Sequence, residues 1–149
     1  MSTRVMPVGC LTDEQVHAVL AAARTAPSLR NSQPWRFRCT HEAIELYADT
    51  TRAVPVADPD HRELLLASGA ALLNLRLAIR ARGVHPAVQL FPDSNQPDML
   101  AIVRLQRRSP VGPVDRRLAK AIARRRTKPR PWAPTTVPLP LLNELRRAR

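Results

Sequence analysis

Val16, Val19, Leu20 and Ala23 fall at i, i+3, i+4 and i+7, the spacing of one apolar stripe on a helix. Thr12 followed by Gln15 forms a capping box, and Leu11 with Val16 is placed as a hydrophobic staple. The pattern therefore predicts a helix that starts after Thr12 and is stopped by Pro27 near Arg24. Further on, "WRFRCT" and "AIELYA" alternate in polarity around "HE" and predict a hairpin. A connector broken by prolines, "DTTRAVPVADPD", leads to Asp58 and Pro59, a suitable N-cap and first helical residue. The longest predicted helix runs from about 59 to 82 and stops at Gly83. Between Leu64 and Ile79 it is apolar on nearly every side, which predicts a central buried helix. Asn74, inside that stretch, needs a hydrogen-bond partner. Strands are expected around 87 to 91 and 99 to 105, joined by the turn-rich "PDSNQPD". Helices are expected at about 114 to 125 and over the closing "PLLNELRRAR".

Length and composition narrow the classes. A chain of 149 residues can hide roughly 70% of its unfolded surface and so build a core without staples. No uncharged apolar run is long enough to predict a membrane span. Cys10 and Cys39 have neither metal spacing nor the density of a disulfide scaffold, so a cytoplasmic location is expected. "HEAIE" lacks the second histidine of a zinc motif, and no metal is assigned. His17, His41, His61 and His85 read as structural or surface residues.

The net charge of +12 is unevenly placed. Residues 1 to 100 hold ten Arg against ten Asp plus Glu, whereas residues 101 to 149 hold fourteen Arg plus Lys against Asp115 and Glu144. A basic final third of this kind is either a solvated face or an anion-binding region. Nucleic-acid binding is the weaker choice, because aromatic residues are only 3% of the chain and no nucleic-acid-binding module is recognisable.

Candidate chemistry concentrates in "APSLRNSQPWRF", residues 26 to 37. Pro27 and Pro34 stiffen its ends, while Ser28, Asn31, Ser32 and Gln33 present donors and acceptors beside a helix end. Such a frame suits a planar ligand with polar edges. The plainer alternative is an ordinary turn rich in turn formers.

In its order of residues this stretch resembles the flavin-binding loop of the nitroreductase family, a Pro-Ser pair, then Asn, then Gln-Pro-Trp leading into a strand. The helix "ASGAALLNLRLAIRARG" is similar to the family's central helix, and "RRTKPRPW", residues 125 to 132, resembles its phosphate-binding Arg-Arg-Ser/Thr-x-Arg segment. That segment normally precedes the Pro-Ser loop; here it follows about a hundred residues later. The inverted order is similar to the Acg-like actinobacterial branch, in which two nitroreductase modules are fused into one pseudo-dimeric chain. The resemblance implies an α+β fold, a mostly antiparallel sheet flanked by helices around the long helix. It implies a first module over residues 1–110, the start of a second over 111–149, and hence an incomplete chain that associates with itself or with the missing module.

The resemblance also implies a cofactor and a site. Pro27, Ser28 and Asn31 inherit contacts to the FMN ring and ribityl chain, and Arg125, Arg126 and Thr127 inherit the phosphate. Pro129 stands where the pattern wants a basic residue, leaving Arg130 one step late as a candidate. The chemistry fits, since Arg forks bind phosphate bidentately, although arginines at a helix C-terminus also complement its dipole without any ligand. The implied activity is ping-pong hydride transfer from NAD(P)H to flavin N5 and then to a flat small-molecule acceptor. It assigns no catalytic side chain, because the cofactor carries the reaction. A non-catalytic FMN-binding or sequestering protein shares every one of these motifs.

Overall fold

Thr12 caps the first helix, α1 (Asp13–Arg24), with its hydroxyl accepting from the Gln15 N–H while the Gln15 side chain accepts from the Thr12 N–H. Both halves of the predicted capping box form, and Leu11 and Val16 of the staple are both buried. The Val16, Val19, Leu20 and Ala23 stripe is the buried face of this helix. A computed structural model supplies these coordinates, and it describes residues 8–127 and 136–147.

The predicted hairpin is β1 (Trp35–Cys39) and β2 (Ala43–Ala48), antiparallel with Trp35 opposite Ala48. Thr40 holds its turn: the hydroxyl accepts from the N–H groups of Glu42 and Ala43. The long helix is α2 (Arg62–Arg80), followed by β3 (Val84–Leu90), β4 (Met99–Arg108), α3 (Pro113–Arg124) and α4 (Leu139–Arg147). The sheet has the order β1-β2-β4-β3, and every pairing in it is antiparallel. The fold is α+β. β3 starts three residues before the expected 87 because Pro86, which lacks an N–H, is tolerated where the strand lies at the sheet edge and the register shifts beside it. β4 runs three residues beyond the expected 105.

Alternation divides the sheet into two faces. Trp35, Phe37, Ile44, Leu46, Ala101 and Val103 join α1 and α2 in one core. Arg36 and Arg38 point the other way, over Tyr47, with their guanidinium carbons 4.5 and 5.4 Å from its ring centre. Beneath them Glu45 is buried, and its Oε2 accepts from Arg38 Nε and from the Tyr47 hydroxyl.

Two expectations for α2 are corrected. Its N-cap is His61 in the left-handed region, not Asp58, and the first turn begins at Arg62 rather than Pro59. Asp58 nevertheless caps from a distance: its two carboxylate oxygens accept from the N–H groups of Glu63 and Leu64, each at 2.9 Å. Nor is the helix buried all round. Leu64, Ala67, Ala71, Leu72, Leu75 and Ile79 face the core, whereas Leu65, Leu66 and Leu73 are 46%, 57% and 50% exposed. The helix is central all the same, packing against α1, α3 and the sheet. It ends before Gly83, whose φ of +73° and close approach to the Ser109 carbonyl suit glycine.

Candidate functional site

Between α1 and β1 the chain makes a tight 3-10 turn, Leu29–Asn31, braced inside the segment. The Ser28 hydroxyl accepts from the Gln33 N–H at 2.9 Å, and the Asn31 N–H donates to the Ser28 carbonyl at 3.0 Å. Arg30, Asn31 and Gln33 all have positive φ, at 51°, 57° and 47°. Left-handed backbone costs a residue other than glycine about 1 kcal/mol or more, Asn less than most. Three such residues within four positions make this the most strained segment described, as expected where a loop is held in shape for a ligand.

Its donors remain available. Ser28 uses its oxygen as an acceptor, which leaves the O–H free to donate. Asn31 is exposed, and its Oδ1 receives the Gln33 amide at 3.5 Å while its own NH2 points to no described acceptor. Pro27 is exposed at the start of the turn.

The second predicted segment arrives at the same end of α1. Arg125 Nη2 donates to the Thr25 carbonyl at 2.9 Å, and Arg125 Nη1 donates to the Thr127 hydroxyl at 2.9 Å. Residues one hundred positions apart are thereby joined two residues before Pro27. Asn74 completes the cluster from α2, donating to the Ala22 carbonyl and to the Thr25 hydroxyl. Its expected partner is thus a carbonyl at the end of α1, one that also accepts from the Thr25 N–H and hydroxyl.

Arg126 behaves differently: its Nη1 folds back to the carbonyls of Ala123 and Arg125 and caps the end of α3. Arg125 and Arg126 each make two hydrogen bonds from a guanidinium with five N–H groups, so both retain donors for an anion. Arg130 lies outside the described residues. Thr25 was not legible as part of the site; a threonine that ends a helix gives no hint that an arginine a hundred residues on will seek its carbonyl.

No protein-family model matches the chain. A Mycobacterium tuberculosis protein named "Putative NAD(P)H nitroreductase" is 39% identical over 127 residues, covering 84% of this chain and 36% of the relative. A second M. tuberculosis protein, "Putative NAD(P)H nitroreductase acg", is 36% identical over 128 residues, covering 86% of this chain and 39% of the relative. The chain therefore spans little more than a third of the length of these curated relatives. Among solved structures, a nitroreductase family protein from Streptococcus pneumoniae TIGR4 superposes with a TM-score of 0.53 at 17% identity, over 78% of this chain and 93% of the other. A "putative nitroreductase in complex with fmn" from Desulfovibrio desulfuricans gives a TM-score of 0.57 at 18% identity, over 93% and 88%.

The fold is nitroreductase-like. The solved neighbours share that fold, and the two relatives carry nitroreductase names over the stretch they match. In this nitroreductase-like fold the arginine segment reaches the C-terminal end of α1, from which the Pro-Ser loop departs.

Proposed function

We propose that the chain carries an FMN site of a flavin-dependent NAD(P)H oxidoreductase. Pro27, Ser28 and Asn31 are directed to the ring and ribityl chain, and Arg125, Arg126 and Thr127, with Arg130, to the phosphate. The observation that carries this proposal is the 2.9 Å bond from Arg125 to the Thr25 carbonyl, which seats a guanidinium beside the loop. The donor set suits the ligand: a hydroxyl and an amide for carbonyl-rich edges, and two guanidinium groups for a phosphate of nearly two negative charges. The names of the relatives and the FMN in one neighbour's crystal support the same choice of cofactor.

When bound, FMN supplies the hydride chemistry, taking hydride from NAD(P)H and passing it to a flat small-molecule acceptor. The chain's own part is positional. The braced 3-10 turn fixes the donors of Ser28 and Asn31 with little to reorganise, and Asn74 and Arg125 fix the end of α1 from which that turn departs. No side chain is required as acid, base or nucleophile.

The same proposal covers organisation. Residues 1–110 form a first module and residues 111–149 open a second, as in an Acg-like fused pair. Two observations support it: the relatives extend well beyond the matched region, and α2, α3 and α4 present Leu65, Leu66, Leu73, Val114, Leu118, Leu139, Leu141 and Leu145 to solvent. The remainder of the second module is the occupant those faces fit.

The test is the absorbance spectrum of the purified chain supplied with FMN, followed by anaerobic NADPH. A retained yellow colour that bleaches promptly is the expected result. Colour without bleaching reduces the function to FMN holding, and a preparation that retains no FMN overturns the proposal.

A further inference from the structure

On the side of the loop that leads into β1 lies a groove of about 610 Å3, within the range of small-molecule sites. Arg24 reaches it from the last turn of α1, Arg36 from the outer face of β1, and Arg52 from the short turn Thr50–Arg52 after β2. Trp35 and Phe37, both largely buried, line it as well. We propose that this groove binds the phosphate group of a small molecule, separately from the Arg125 segment.

Charge and preorganisation carry the proposal. Three guanidinium groups converge with one carboxylate, Asp49, and that carboxylate is already committed. Its Oδ1 accepts from the Thr51 hydroxyl, and its Oδ2 pairs with Arg52 Nε at 3.3 Å. Arg24 and Arg36 form no ion pair among the described residues. The groove therefore holds two uncompensated positive charges. Residues 1 to 100 balance ten Arg with ten acids, so this excess is a local arrangement and not the general basicity of the final third. The arms are also placed in advance: Asp49 orients Arg52, and the Tyr47 ring supports Arg36 at 4.5 Å. Guanidinium forks around a concave site recognise phosphate bidentately, and the volume leaves room for an organic part of the ligand.

Trp35 lines the groove, and in a Trp132→Phe background it is the sole tryptophan of the chain. Sodium pyrophosphate is titrated against its emission at constant ionic strength, with AMP and adenosine in parallel and circular dichroism to check folding. The expected result is a saturable response to pyrophosphate that Arg24→Gln and Arg36→Gln each weaken about tenfold, the effect of losing one charge-assisted contact. Arg76→Gln, on the exposed side of α2, leaves it unchanged. Tighter binding of AMP than of pyrophosphate assigns the groove to a nucleotide, and the reverse order assigns it to free phosphates. A non-saturable response, binding that survives the Arg24→Gln/Arg36→Gln double substitution, or adenosine binding as tightly as AMP overturns the proposal. It stands or falls independently of FMN, because none of its arginines belongs to the flavin site.

Discussion

Ser68 is the one buried polar side chain among the described residues whose hydroxyl has no partner. It lies on the core face of α2 at 1% exposure. A buried hydroxyl without a hydrogen bond costs stability, and alanine is also the better helix former. Ser68→Ala should raise the unfolding free energy by about 1 kcal/mol in urea denaturation; a loss of stability would show that the hydroxyl has a role in the folded chain. Glu45 is the opposite case. Burial alone pushes its carboxyl up, but the hydrogen bonds from Arg38 and Tyr47 and the Arg38 charge outweigh that and hold it below the ordinary carboxylate range. Because its pKa is lower in the folded state, the carboxylate adds stability that is fully present above the unfolded value of about 4.3. That contribution is lost as pH falls through the depressed folded value. Glu45→Gln should therefore flatten the acid limb of stability against pH and leave Arg38 without its buried partner. At this scale the sequence is a poor guide: nothing in "AIELYA" announces that its glutamate is held by Arg38 and Tyr47.

Elements were legible where their signals are local. The capping box and apolar stripe of α1 specify that helix from within a dozen residues, and the alternation of β1 and β2 specifies a hairpin in the same way. α2 was legible in its existence and misread at its start, because His61 takes a left-handed conformation that depends on the path of the preceding connector. Its burial was misread for another reason. Leucine on all sides signals burial only if something covers each side, and Leu65, Leu66 and Leu73 face no described partner. The distant cap gives a test at this scale. Asp58→Ala removes the acceptors of two first-turn N–H groups and should speed amide exchange at Glu63 and Leu64 while that of Leu75 is unchanged. Equal acceleration along the helix would mean that the cap holds more than the first turn.

For the whole molecule, the informative feature is a convergence that no local pattern encodes. A loop resembling one half of a flavin cradle and an arginine segment resembling the other are separated by about a hundred residues, and α3 packing on α2 brings Arg125 to the end of α1. The motifs themselves were visible in the sequence; their meeting through Thr25 was not. The claim that both act on one ligand is tested most directly by titrating FMN into the wild-type chain, Ser28→Ala, Arg125→Ala and the double variant, following quenching of flavin fluorescence. The account predicts saturable binding that each single substitution weakens about tenfold, the loss of roughly one hydrogen bond or charge-assisted contact, and that the double substitution weakens further. Binding by either single variant as tight as wild type, or no saturable binding at all, would contradict it.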